Sequence, residues 1–318
     1  MLTVADDLTE LIGKTPLLRI NRLFPESNAK VYAKLELCNP MSIKDRPVLS
    51  MIRAAIAEGK IGSETEVVEA SSGNTAIAIA SLGTMLGFPV RIYMSELCSI
   101  EKQKIICAYG AKVIVTPGAE HTKGARERAI AYCRENQDST FFLNQHSNPN
   151  NGRAHETTTG PEIWQQTDGK IDAIVIGLGT SGSFDGLSRF FKSKNQNIHV
   201  AAFEPASSPV YSGGVQGKHK IIGIGPGFVT DNFKRSQHNL DELIHVSDEA
   251  AYEWVRLIAY KEGLLVGPSS GAAAWASGQL AHREEFADKT IVCIFYDSGE
   301  RYLSMPDLFR ADTIEKGF

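Results

Sequence analysis

The sequence predicts an α/β fold of two lobes, each a mostly parallel twisted sheet with helices on both faces. Three observations lead to it. Short β-branched runs alternate with helix-period stretches along almost the whole chain, the rhythm of repeated βαβ units. A chain of 318 residues is long enough to divide its apolar content between two cores. The stretch Ser147-Asn148-Pro149-Asn150-Asn151-Gly152 gathers turn formers in mid-chain, where a junction between lobes is expected.

Taken in order, the first strand is expected at Lys30–Leu35, and Glu66–Glu69, Val90–Met94, Lys112–Thr116 and Thr140–Leu143 follow. Each is a short run of apolar and β-branched residues. Ala173–Ile176 is apolar throughout, as a strand covered on both faces is. His199–Phe203, Leu243–Val246 and Thr290–Phe295 complete the set. Helical spacing fills the gaps at Val48–Glu58, Thr75–Leu86, Glu101–Tyr109, Gly124–Asn136, Phe184–Lys192, Glu249–Glu262 and Gly271–Leu280. The segment from Pro205 to Asp231 is rich in Gly, Ser and Pro without periodicity, and loops of that length often carry function.

Composition narrows the function. A net charge of −4 leaves no basic footprint for nucleic acid. No apolar run reaches the roughly 18 residues of a membrane span. The start, Met1 to Asp7, is acidic and lacks a signal peptide's basic and apolar regions, so a cytosolic protein is expected. The five cysteines (Cys38, Cys98, Cys107, Cys133, Cys293) form no CxxC pair, so neither a metal site nor a disulfide framework is expected. Cys38 reads as a packing residue.

Lys44 is the first candidate for chemistry. It lies between a strand-like run and a helix-like one, in Asn39-Pro40-Met41-Ser42-Ile43-Lys44-Asp45-Arg46, held by backbone on both sides. Burial there would lower the ammonium's pKa and leave an amine able to form a Schiff base with an aldehyde. The second is Gly177-Leu178-Gly179-Thr180-Ser181-Gly182-Ser183, a strand running through glycines into a helix. Its inward N–H groups and hydroxyls suit a phosphate. It also spells G-x-G-x-x-G, with Glu204 some twenty residues on, so a nicotinamide oxidoreductase using the Gly177–Gly182 loop is a rival reading. Ser71-Ser72-Gly73-Asn74-Thr75 is a hydroxyl-rich turn opening a helix and suits a carboxylate. Val266–Ala274 and Tyr296–Leu303 are two more polar turns after strand-like runs. Four such turns fit a crevice lined by the carboxyl ends of parallel strands.

Together these motifs resemble the cysteine synthase and cystathionine β-synthase family of pyridoxal-phosphate enzymes, fold type II, with a tryptophan synthase β-like architecture. The resemblance spans nearly the whole chain. It includes Ile12–Leu17, the Lys44 segment, Ser71–Thr75, Thr157–Trp164, Gly179–Ser183, Gly223–Phe228, Ser269–Ala272 and Asp297–Leu303.

The resemblance implies a resident pyridoxal 5'-phosphate, joined to Lys44 as an aldimine. Asn74 would bond the ring hydroxyl, Gly179, Thr180, Ser181, Gly182 and Ser183 the phosphate, and Ser269 the pyridine nitrogen. Ser71, Ser72, Gly73, Thr75 and Gln145 would take the substrate's α-carboxylate, and Gly225 would meet its amino end. A neutral hydroxyl at the pyridine nitrogen favours loss of a β-substituent over transamination. The implied reaction is β-replacement on a serine-derived amino acid through an α-aminoacrylate, with Lys44 carrying the α-proton. Cysteine synthesis from O-acetylserine and sulfide is the first expectation; cystathionine β-synthase and 2,3-diaminopropionate synthase are the alternatives. The partners are then a small amino acid and a small nucleophile, in a homodimer. A smaller mobile lobe is expected over 41–148, and a larger one over 1–40 plus 149–318 with no regulatory domain appended. Lys218 and Lys220 read as surface lysines that could meet a donor phosphate, and Asp231 as a solvated loop aspartate that could act as acid or base on an unusual nucleophile. The chain departs from the family's pattern in a shorter Met41-Ser42-Ile43 loop, in Ala76 and Pro268, and in Phe228–Asn232, which lacks a proline. The short loop borders the place where the nucleophile arrives.

Overall fold

The computed structural model describes residues 4–96 and 98–309. Two sheets organise them. The larger has six strands in the order β1 (Leu17–Arg19), β2 (Lys30–Leu35), β10 (Thr290–Phe295), β7 (Ala173–Gly177), β8 (His199–Pro205) and β9 (Glu242–Val246). Only the β1–β2 pair is antiparallel. The smaller is all parallel, ordered β5 (Lys112–Thr116), β4 (Val90–Ser95), β3 (Glu66–Ala70) and β6 (Thr140–Phe142). Every residue of β7 is buried, as its unbroken apolar run requires, because strands pair on both edges and helices pack on the sheet.

The chain crosses from one core to the other at the segment that carries Lys44. Ile43 packs in the large-sheet core, whereas Val48, Met51 and Ile52 of α1 (Asp45–Ala57) pack in the small-sheet core with Val67, Ile77 and Ile92. Burying side chains of this size contributes about 1.5–3 kcal/mol each, so both ends of the crossing are anchored. A hydrogen bond from Ile43 N to Tyr296 O (3.0 Å) fixes the segment against the end of β10.

Sequence and structure differ chiefly in one place. The 147–152 turn cluster starts a helix: Asn148 caps it by accepting from Asn150 N (3.0 Å), and Pro149 is its first residue. Asn and Pro serve helix starts as well as turns. This helix, α5 (Pro149–Ala154), runs through a π-type turn at His155–Thr159 into α6 (Gly160–Gln166). Gly152 is needed inside α5 because a Cβ there would overlap the Asp185 carboxylate of α7 (Gly182–Lys194). Two short elements were too brief to show periodicity: β1, and α8 (Asp231–Ser236), which Thr230 caps by accepting from Phe233 N (3.3 Å). Among the described residues no helix is long and apolar enough to cross a membrane.

Candidate active site

Lys44 immediately precedes α1 and is partly buried. Its backbone is clamped. Its own N–H donates to Ser42 Oγ (3.1 Å), and the Asp45 carboxylate accepts from Met41 N (2.7 Å) and Ser42 N (3.2 Å). Among the described residues nothing hydrogen-bonds its ammonium. Desolvation pushes that group down to about 8, against the opposing pull of Asp297 and Glu36. Two other lysines are buried and also lowered by desolvation. Lys34 is tied to Thr15 O (2.6 Å), Glu162 (2.7 Å) and Gln166 (2.9 Å), and Lys102 lies 4.5 Å over the Tyr302 ring. Lys44 alone of the three combines a lowered pKa with a free amine at a strand-to-helix crossing.

Across the cleft, the turn after β7 presents a cradle. Among the described residues, the backbone N–H groups of Gly179, Thr180, Ser181, Gly182 and Ser183 donate to nothing in the protein. The rest of the loop is held from outside: Asn232 donates to Thr180 O (2.8 Å), Asn151 to Thr180 Oγ1 (3.1 Å), and Tyr211 OH lies 3.0 Å from Ser181 Oγ. Ser181 takes a left-handed φ of 58°, which turns the amides inward at the start of the 13-residue helix α7. A Cβ at Gly179 would stand 2.5 Å from the backbone oxygen of Gly223, and one at Gly182 would overlap the Asn151 side chain. Ser269, at the start of α10 (Pro268–Ala281), is 4% exposed, and its hydroxyl lies against Gly223 without a hydrogen-bond partner among the described residues. Gly225 holds a φ of +62° and donates to Leu178 O (2.8 Å).

The turn after β3 completes the cleft. Ser71 Oγ accepts from Gly73 N (3.2 Å), Ser72 Oγ from Ser95 N (3.2 Å), and Thr75 donates to Gln145 Oε1 (2.6 Å). The N–H groups of Ser72, Asn74 and Thr75 have no partner among the described residues, and nothing lies within 4 Å of where a Gly73 Cβ would be. Asn74, first residue of α2 (Asn74–Leu86), has its amide fixed at both ends. Nδ2 donates to Asp297 Oδ2 (2.6 Å) and Oδ1 accepts from Arg301 (2.7 Å), while Tyr302 OH also donates to Asp297.

In sequence, Asp297, Arg301 and Tyr302 stand out only as members of a polar turn, with no task of their own. The signal was there: Asp297 lies two residues past β10, at the carboxyl end of a parallel strand. His146, beside Gln145, was also passed over.

Two expectations are corrected, those for Glu204 and Cys38. Glu204 is fully buried and its carboxylate is already occupied by Tyr211 N (2.8 Å), Ser212 N (3.1 Å) and Ser212 Oγ (2.8 Å), so it is closed to a ribose diol and the dinucleotide reading falls. Cys38 is exposed, turned outward at the end of the short 3-10 turn Glu36–Cys38, and does not pack in a core. Asp231 is largely exposed and paired with Ser147 (2.7 Å) and Lys234 (3.2 Å). Lys218 is exposed, and Lys220 stands 3.9 Å from Asp307. Among the described residues no group of three His, Cys, Asp or Glu is placed to hold a metal.

An amine, a ring of free amides before a helix and an orphan alcohol are what pyridoxal phosphate requires of a site, and the residues fit it. The Gly179→Ala variant tests that fit. Its Cβ meets backbone, which cannot swing aside, so overpacking of about 1–3 kcal/mol should weaken cofactor reloading by roughly tenfold. A fluorescence titration of the stripped protein measures it.

Comparison with known proteins agrees. The profile of the family described as "Pyridoxal-phosphate dependent enzyme" matches residues 8–297. A cysteine synthase of Staphylococcus aureus is 41% identical over 303 residues, covering 95% of this chain and 96% of that one. Cysteine synthase (OASS) from Entamoeba histolytica superposes with a TM-score of 0.93 at 36% identity, covering 100% of this chain and 94% of the other. An O-acetylserine dependent cystathionine beta-synthase from Helicobacter pylori superposes at 0.90 with 34% identity, covering 95% and 98%. The chain belongs to the pyridoxal-phosphate dependent enzymes and is a β-replacing member with the fold of the cysteine synthases.

Proposed function

We propose that this enzyme makes cysteine from O-acetylserine and sulfide. The observation that carries the reading is the free, partly neutral amine of Lys44 on a segment that Arg301 ties to Asn74 of the turn after β3, a turn that Gln145, Asn151 and Asn232 tie in turn to the free-amide loop at Thr180. When bound, pyridoxal phosphate supplies an aldehyde that condenses with amines and a ring that draws electrons from the α-carbon.

The chain's own residues do the rest. Gly179, Thr180, Ser181, Gly182 and Ser183 would hold the phosphate, Ser269 would offer the pyridine nitrogen a neutral alcohol, and Asn74, locked by Asp297 and Arg301, would hold the ring hydroxyl. Ser71, Ser72, Gly73, Thr75 and Gln145 bind the α-carboxylate, and Gly225 faces the amino end. Lys44 takes the α-proton from the donor and returns it to the product. Residues 41–148 act as a small lobe that closes on the carboxylate against a large lobe of 1–40 plus 149–318, excluding water. The free thiols fit a reducing cytosol, and a homodimer is part of the same proposal.

The donor is supported by the names of similar structures, an O-acetyl serine sulfhydrylase of Entamoeba histolytica and an O-acetylserine dependent cystathionine beta-synthase. A screen of O-acetylserine against sulfide, homocysteine and ammonia, with products identified by mass, tests the reading. Cysteine should dominate; cystathionine or 2,3-diaminopropionate as main product would overturn the choice of acceptor.

A further inference from the structure

His146 stands in this cleft with no task assigned. It is 6% exposed, follows Gln145 directly, and its ring centroid lies 5.2 Å from that of Phe228 in the Gly223–Phe228 segment. Its backbone is pinned between the two binding turns. Asn232 N donates to His146 O (3.3 Å), while the side chains of Asn151 (2.7 Å) and Asn232 (2.9 Å) both donate to Gln145 O. The same two asparagines hold Thr180 in the phosphate cradle. Among the described residues, neither ring nitrogen of His146 has a hydrogen-bond partner, although the atoms are not sealed off as orphaned buried groups are. A buried imidazole packed on Phe228 beside Gln145, with both nitrogens unpartnered among the described residues yet reached by solvent, is open to a group that enters the site.

We propose that His146 is the base that takes the proton from the incoming nucleophile. The inference rests on the β-replacement reading above and names the acceptor as one that arrives still protonated, H–X, of which hydrogen sulfide is the proposed case. By then acetate has left the donor's β-carbon with the C–O bonding pair and the α-proton has passed to Lys44, leaving the α- and β-carbons doubly bonded; as X adds to the β-carbon, the H–X bond breaks, its electron pair forms the X–C bond, and the proton passes to the free imidazole nitrogen. The pair displaced from the β-carbon is taken up at the α-carbon, where Lys44 delivers the other proton. His146 then loses its proton to water as product leaves, so proton and charge balance over the cycle.

The electrostatics suit the timing. Burial holds the ring neutral, with a pKa lowered to about 4, and the charges that face it, Arg126 on α4 (His121–Glu135) and Lys44, act in the same direction. Asp231, bound to the neighbouring Ser147, is largely exposed and adds little. A substrate carboxylate docked at Gln145 adds a negative charge beside the ring and offsets those cations. The imidazole therefore becomes more basic when the donor is in place.

The experiment separates two stages. Wild type, His146→Phe and His146→Gln are loaded with cofactor and mixed with O-acetylserine, and acetate release is followed. Sulfide is then added to the charged enzyme and cysteine formation is followed across pH. Both variants should release acetate within about twofold of wild type but form cysteine roughly a hundredfold more slowly below the acceptor's own ionisation. The defect should shrink towards wild type where the acceptor arrives already ionised, which a packing role would not produce. Separately, a nitrogen NMR titration should show the His146 ring neutral to well below 6.5 and its pKa rising when L-alanine, which has no leaving group, is bound. Equal slowing of both stages, a defect that ignores pH, or a ring that titrates at its ordinary value without response to L-alanine overturns the proposal. A wild type that releases no acetate overturns the donor reading instead, and the NMR titration then decides on His146 by itself.

Discussion

Replacing Lys44 with alanine should lower turnover by on the order of a thousandfold or more while leaving the fold intact. The two halves of that expectation come from one fact. The ammonium has no partner among the described residues, so its loss breaks no ion pair, and desolvation already opposes the charge. Thermal stability should stay level or rise slightly. Product formation by mass and a melting curve measure the two halves; a collapse of stability would show Lys44 to be structural.

The same environment sets a pH signature. A lysine lowered from 10.5 to about 8 is deprotonated earlier on the alkaline side. The rate at which the stripped protein captures added pyridoxal phosphate should therefore rise with pH and level off above about 8. An unperturbed lysine would keep gaining rate up to 10.5. Stopped-flow absorbance follows it.

Arg46→Ala should destabilise the protein by about 3–5 kcal/mol, because it leaves a buried charge uncompensated. Arg46 sits two residues after Lys44 with its side chain 2% exposed. It donates to Glu36 through Nε (2.7 Å) and Nη2 (2.8 Å), and to Glu162 through Nη1 (2.7 Å) and Nη2 (2.8 Å). Glu162 keeps Lys34 and has some solvent, but Glu36 is fully buried and, among the described residues, would retain hydrogen bonds only from Thr15 (2.7 Å) and Asn39 (2.9 Å). The network joins β2, α1 and α6, so its loss also frees the start of the helix that positions Lys44. Urea unfolding of Arg46→Ala measures the cost, and adding Glu36→Gln should recover part of it because the stranded charge is then gone. A loss under about 1 kcal/mol would show that water reaches Glu36.

What was legible beforehand follows from how far a residue's role depends on its neighbours in sequence. Lys30–Leu35, Lys112–Thr116 and Thr290–Phe295 match their strands to the residue, since apolar content and turn residues are local signals. The binding turns were readable for the same reason: glycines and hydroxyls sit together at 179–183 and 71–75. The helix from Pro149 was not, because Asn148 and Pro149 signal a turn and a helix start alike, and Gly152 is explained only by Asp185 on another helix. Asp297, Arg301 and Tyr302 act on Asn74 from more than two hundred positions away, and Arg46 meets Glu162 across 116. Those pairings exist only once the parallel strands bring their carboxyl ends to one crevice. His146 is a further case, an ordinary residue in sequence whose place beside Gln145 and Phe228 makes it chemistry.

Three buried lysines carry lowered pKa values, Lys34, Lys44 and Lys102, so the site of attachment discriminates between accounts. The most direct measurement is reduction of the cofactor-loaded protein with borohydride, digestion, and peptide mass mapping. The added mass of the reduced cofactor should fall on the peptide that carries Lys44. Recovery of that mass on Lys102 or Lys34, or on no peptide at all, would contradict the account.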